Sequence, residues 1–444
     1  MRKSMKTILA ALVLATPLAL TSCEGTLDDI FGEWSRPSGN TDSTPAADHS
    51  KQYLVYSYST ALDSTWTDIP SNATVWTGTV TADNVAAGTY VVEGTATCAN
   101  QLVLMGEVNL ILKDGAKLTV DNGITYDRTG DAGSLNIYGQ GISSSMGQLV
   151  VNNNTPFDPL GYGNVTSAIF VKALSIHGCK IETTGDTGNT GTAGEGIVIP
   201  TVTGAGDITI YNGNIKAVGA ACATGIANLG TRNVNIYGGY VDAKGAAANG
   251  TMNMIGGDGI QCAGNLTIKG DAIIKAYGGA YDSPKSGGYG IKLDGTLTIS
   301  DNADVYAEAG KDATAAIEAG LDLSFSGKKL VTESIGNSAG LETESLGAGS
   351  ITISAGLLKI TTALGPTIQS DKNVEITANV TKVEMTNNGI TGTDNPASLF
   401  VTYGGTFKLG GTDISASWIV GTTLISAVTT ANLQYNSNTL TYEP

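Results

Sequence analysis

The sequence predicts an all-β chain wound as a parallel β-helix of about ten turns. Three observations lead there. Glycine supplies 59 of 444 residues while charged residues make up only 14%, a balance foreign to long helices and coiled coils. A short strand phrase, two aliphatics flanking a polar residue, returns along most of the chain. Between its copies no segment carries the amphipathic spacing that a helix-rich α/β fold needs. At 41% hydrophobic residues the chain can still bury a large core, which argues against general disorder.

The elements follow in chain order. Residues 1–22 read as a secretory leader, because Arg2, Lys3 and Lys6 precede an apolar run from Ile8 to Leu20 that is too short to span a bilayer. The run ends in Leu20-Thr21-Ser22-Cys23, which resembles a bacterial lipobox. That resemblance implies cleavage before Cys23 and a lipid on its thiol, so that acyl chains hold the protein at a membrane. Residues 23–50, with Glu24, Asp28, Asp29, Pro37, Gly39 and Pro45, read as a flexible tether. Acidic residues soon after the cysteine resemble the export pattern of Bacteroides-type surface lipoproteins. This implies an outer-membrane protein displayed at the cell surface.

The whole chain carries a net charge of −16. Losing Arg2, Lys3 and Lys6 with the leader leaves 40 acidic against 21 basic side chains, a net of −19. Direct binding to nucleic acid phosphates or to an anionic lipid surface is disfavoured.

The β-helix is expected over residues 101–397. Its phrase reads Leu110-Ile111-Leu112, Leu135-Asn136-Ile137, Leu174-Ser175-Ile176, Ile208-Thr209-Ile210, Val234-Asn235-Ile236, Leu266-Thr267-Ile268 and Leu297-Thr298-Ile299, with weaker copies starting at Leu321, Ile351 and Val374. Successive starts lie 23 to 39 residues apart. Each phrase is followed by a second alternating strand, such as Ile215-Lys216-Ala217, and by a small residue before an aliphatic, such as Gly259-Ile260. Three short strands separated by Gly, Asn and Asp corners make one turn. A single turn cannot hide its own apolar face, so the turns must stack. Ten of them at roughly 4.8 Å would extend about 50 Å.

Both ends of such a stack expose unpaired backbone and need covers. Residues 51–100, with Trp66 and Trp76, are expected to supply the N-terminal cap and first strands, and residues 398–444, with Trp418, the C-terminal strands and cap. The tryptophans are read as cap core.

If the turns align, Tyr138, His177, Tyr211 and Tyr237 form an outward stripe. Such rings can meet the apolar faces of sugars in an extended polymer, or they can simply stabilise neighbouring strands by stacking. On the second strand Glu182, Lys216, Asp242 and Lys275 alternate in sign at the matching outward position, which cross-strand pairing explains. Long corners at Asn152–Thr166, Gly185–Gly196 and around Tyr281, Asp282 and Lys285 are natural binding loops. Asp186, Asn189 and Glu195 could supply oxygens to calcium, as could Asp127 and Asp131.

Catalytic chemistry is sparse. Only His49 and His177 are present, so a histidine triad or multi-His metal site is not expected. Glycoside hydrolysis needs two convergent carboxyls, and the one Asp-Asp pair, Asp28-Asp29, lies in the tether. Arg128, near Asp127 and Asp131, is the best candidate for a lyase base. Cys98, Cys179, Cys222 and Cys262 lack zinc spacing and read as small core residues.

The run Gly257-Asp258-Gly259-Ile260-Gln261-Cys262 to Leu266-Thr267-Ile268, with Gly278-Gly279 and Gly290-Ile291-Lys292, resembles secreted bacterial right-handed parallel β-helix carbohydrate-binding proteins of pectate-lyase-like fold. The likeness covers roughly residues 100 to 395. It implies a right-handed coil, polysaccharide as partner and calcium as cofactor. The combined expectation is a surface-anchored, non-catalytic lipoprotein that binds polysaccharide on a β-helix face. The alternatives are an adhesin or structural spacer contacting proteins, or a polysaccharide lyase.

Overall fold

The computed structural model describes residues 48–81, 83–128, 133–141, 145–153, 166–186, 194–248, 256–280, 286–336, 339–343, 349–370, 372–389, 400–402, 406–413, 433–436 and 438–444. Cys23, Asp131, Asn189, Tyr281, Asp282, Lys285 and Trp418 lie outside the described residues, as do most of the Asn152–Thr166 corner and residues 1–47.

The described residues form strands and no helix. The strands stack in parallel, in the manner of a β-helix or solenoid. In one turn, Leu266–Ile268 lies in the first wall, Ile273–Tyr277 in the second and Ile291–Leu293 in the third. The third wall is a 12-stranded sheet running from Asn84–Val85 to Phe400–Thr402. The first two walls belong to one 24-stranded sheet, because strands such as Ala173–Thr184 and Ile208–Val218 run through the corner between them. Antiparallel pairing enters at the C-terminal end, where Thr439–Tyr442 lies against Val380–Asn387 and Leu433–Asn436.

The phrase works because side chains alternate across a strand. Leu266 and Ile268 are fully buried while Thr267 between them is half-buried. Each aliphatic stands on its counterpart in the next turn, as Ile236, Ile268 and Ile299 do. Full burial of one such side chain contributes about 1.5–3 kcal/mol. Among the described residues one continuous core runs from Trp76 to Tyr442, and Ala309, Ala313 and Ala316 form a small separate cluster.

Two phrases sit in a different register from the sequence reading. Leu135-Asn136-Ile137 pairs with Val108-Asn109-Leu110, not with Leu110-Ile111-Leu112. Likewise Leu297-Thr298-Ile299 pairs with Leu323-Ser324-Phe325, and Leu321 is 44% exposed. The stack also extends past the expected copies, through Gly88–Val92 at one end and Phe407-Lys408-Leu409 at the other.

Trp76 is buried at the N-terminal end of the core and packs on Tyr90, as expected of a cover. Trp66 is different: it is 39% exposed and stacks on His49 outside the core. Cys98, Cys179, Cys222 and Cys262 are free thiols, with all but Cys222 buried. Burial pushes the Cys179 thiol far up, so it stays protonated as an inert core residue.

Candidate functional site

The stripe forms. Tyr138 and His177 are register partners on adjacent strands, and their rings stack at 4.6 Å. His177 and Tyr211 stack at 4.6 Å, and Tyr211 reaches Tyr237 at 5.6 Å. An irregularity after Ile176 sets His177 opposite Asn212 in backbone register, yet the neighbouring Tyr211 ring still completes the ladder.

The expected exposure of this ladder needs correction. A hairpin of β1 (Gln52–Tyr58) and β2 (Leu62–Asp68) lies along it. β1 crosses the turns one after another. The Gln140 side-chain amide donates to the carbonyls of His49, Ser50 and Gln52, at 3.1, 3.2 and 2.8 Å. Tyr53 meets Tyr138 edge-on at 4.8 Å, and the Tyr56 amide donates to His177 Nδ1 at 3.1 Å. Tyr58 stacks flat on Tyr237 at 4.3 Å, and its hydroxyl donates to Asp301 Oδ2 at 2.6 Å. His177 is consequently only 7% exposed, while Tyr138, Tyr211 and Tyr237 remain half-buried.

Lengths explain the fit. Seven extended residues reach about 23 Å, and five strand spacings, from the strand of Tyr138 to that preceding Asp301, span about 24 Å. Glycine shapes the bed. Gly178 holds φ at +104°, a left-handed conformation that a side chain would strain, and the Tyr56 ring comes to 3.2 Å from where its Cβ would sit. A Cβ at Gly139 would collide with the Gly178 carbonyl. Each ring pair adds about 0.5–1.5 kcal/mol beyond its buried area.

The electrostatics keep the ladder neutral. Burial lowers His177 to about 4, so its Nδ1 lone pair is free to accept the Tyr56 amide near neutral pH. Burial pushes the Tyr138 hydroxyl up to about 12. Burial, and then the hydrogen bond to Asp301, raise Tyr58 to about 12 as well. In return the Tyr58 hydrogen bond lowers the Asp301 carboxyl.

The hairpin residues that engage the ladder were missed by the sequence reading, which placed Gln52–Tyr58 among cap strands. The available signal was the concentration of Tyr53, Tyr56 and Tyr58 in one strand outside the repeat.

The second-wall charges fall in register, Glu182 beside Lys216, then Asp242, then Lys275. Glu182 and Asp242 also pair along their own strands, with Lys180 at 2.7 Å and Lys244 at 3.7 Å. The third wall carries an unforeseen polar row of Gln261, Lys292, Glu318, Glu342 and Gln369. Lys292 pairs with Glu318 at 3.3 Å and lies over the Tyr289 ring. Beside them Asp258 accepts the Tyr289 amide at 2.8 Å, and burial pushes its carboxyl up to about 6.

The calcium candidates are only partly brought together. Asp186 and Glu195 flank residues 187–193, which include Asn189, and Glu195 Oε2 accepts the Ser167 hydroxyl at 2.5 Å. Among the described residues no group of three or more His, Cys, Asp or Glu side chains could hold a metal ion. The Arg128 guanidinium packs over Phe170 at 4.8 Å. Comparison of the chain with protein-family models, curated proteins and solved structures finds no match.

Proposed function

We propose that this chain is a lipid-anchored, non-catalytic cell-surface protein that binds polysaccharide along its β-helix. Lipid on Cys23 would hold it to the outer membrane, and the helix is read as right-handed, of about ten turns with capped ends. The observation that carries the binding role is the ladder of Tyr138, His177, Tyr211 and Tyr237, whose rings repeat at 4.6 to 5.6 Å along neighbouring turns. Sugar rings lie on such faces, and a repeated row suits a polymer better than a single sugar. The net charge favours a neutral polymer, or an acidic one only with cations between. A cation such as calcium, bound between chain and polymer, would serve that bridging role.

A second reading, an adhesin or spacer that contacts proteins, is favoured by the hairpin, which already lies along the ladder. A glycan array with and without a chelator separates them. We expect saturable binding that Tyr211→Ala weakens about tenfold, the scale of one lost ring contact. Binding to no glycan would leave the protein-contacting reading, and release of unsaturated oligosaccharides would make the protein a lyase. A signal abolished by chelator would place calcium in the complex.

A further inference from the structure

Among the described residues the hairpin differs from every other strand pair in how it is held. Its two strands hydrogen-bond to each other in a two-stranded sheet of their own, apart from both sheets of the stack. Such a pair is marginally stable alone, so it stays folded by docking. The hairpin is held by the Gln140 amide, two ring pairs, the Tyr56–His177 and Tyr58–Asp301 hydrogen bonds, and the burial of Leu54 and Tyr56. β2 is largely exposed over Asp63–Trp66. The ladder, by contrast, sits on strands paired on both sides within the stack. Lifting the hairpin breaks none of those pairings.

We propose that the β1–β2 hairpin is a strap over the aromatic ladder, one that lifts while the stack stays folded and must lift before a polysaccharide can lie across the rings. Tyr58 covers the very face of Tyr237 that a sugar ring would use, and the Tyr56 amide holds the ring nitrogen of His177. Strap and ligand therefore compete, and the apparent affinity falls with the fraction of molecules whose strap is shut. A ligand that binds only the lifted state draws the population toward it. The gating step rests on the polysaccharide reading above, whereas the strap itself does not.

The test uses the full chain and Tyr58→Ala, which removes one ring pair and the Asp301 contact while leaving the ladder untouched. Native-state hydrogen exchange is followed beside titration with xyloglucan, glucomannan and arabinan as neutral probes. We expect the amides of Gln52–Tyr58 and Leu62–Asp68 to exchange as one unit, at least tenfold faster in Tyr58→Ala, with those of Ile208–Val218 unchanged. Affinity for a bound probe should rise by the same factor. Hairpin amides that exchange only in step with Ile208–Val218 would overturn the strap. Independent hairpin exchange with unaltered affinity would overturn the gating. If the hairpin opens as expected and neither protein binds any probe, the strap stands and the polysaccharide reading falls. Tyr53→Ala serves as a second variant should Tyr58→Ala fail to fold.

Discussion

At His177 one ring serves three partners at once. Its faces stack between Tyr138 and Tyr211, and its Nδ1 accepts the Tyr56 amide from the hairpin. Protonation would fill that lone pair and place a charge beside Tyr138, whose hydroxyl burial pushes up to about 12. The docked value of about 4 lies below the ordinary 6.5 or so, toward which the residue rises when the hairpin leaves. A group depressed in the closed form gives docking its full strength above the open-state value, and that strength is lost as pH falls through about 4. Hairpin opening should thus increase by up to about tenfold per pH unit between roughly 6.5 and 4. One proton sets the tenfold ceiling, and because Tyr138 and Tyr211 stay in place and keep part of the desolvation, the window closes somewhat below 6.5. Exchange of the Tyr56 amide, corrected for intrinsic rate, measures it. In His177→Asn, whose amide oxygen can accept the same hydrogen bond without titrating, the pH slope should vanish.

Among the elements, register is where energy and legibility separate. The alternation of the strand phrase was readable because each wall is buried on one side, and a strand's period is two. A slip by two residues preserves that pattern, so Val108-Asn109-Leu110-Ile111-Leu112 offers two equally good phrases, and Leu321-Asp322-Leu323-Ser324-Phe325 does the same. Only stacking against neighbouring turns decides between them, and it selects Val108 and Leu323. The ladder was legible for the same reason that most phrases were. Its cover was not, because β1 contacts one turn after another from outside the repeat, and no periodicity reports such a contact. The register can be tested directly. Leu323→Ala removes a buried side chain and should cost about 2–5 kcal/mol in chemical denaturation, whereas Leu321→Ala should stay within about 0.5 kcal/mol. Equal costs would restore the slipped pairing.

For the molecule as a whole, stability in a stack of turns is a sum of neighbour terms, so one turn can be removed if the seam matches. The turn from Ile260 to Gly290 meets that condition. Ile260 pairs with Ile291, Leu266 with Leu297 and Ile273 with Asp304, an offset of 31 residues in all three walls (291 − 260, 297 − 266 and 304 − 273). Joining Gly259 to Ile291 sets Ile291 beside Ile226, Leu297 beside Val234 and Asp304 beside Tyr240, where Ile260, Leu266 and Ile273 stood. The core aliphatic positions stay apolar, Leu297 replacing Leu266, Ile299 replacing Ile268 and Val305 replacing Ile274, while the buried Lys275 gives way to the buried Tyr306. The excised chain should keep its β-sheet circular dichroism and unfold in one transition. Its denaturant slope should fall in proportion to the surface lost, since that slope scales with the area exposed on unfolding. Asp301 would move by one strand spacing, so Tyr58 should lose its partner and the hairpin amides should exchange faster while the stack holds. A chain that is aggregated or unfolded after this excision would mean that the turns are not interchangeable neighbours, and the pairing of distant tyrosines along one wall would lose its structural basis.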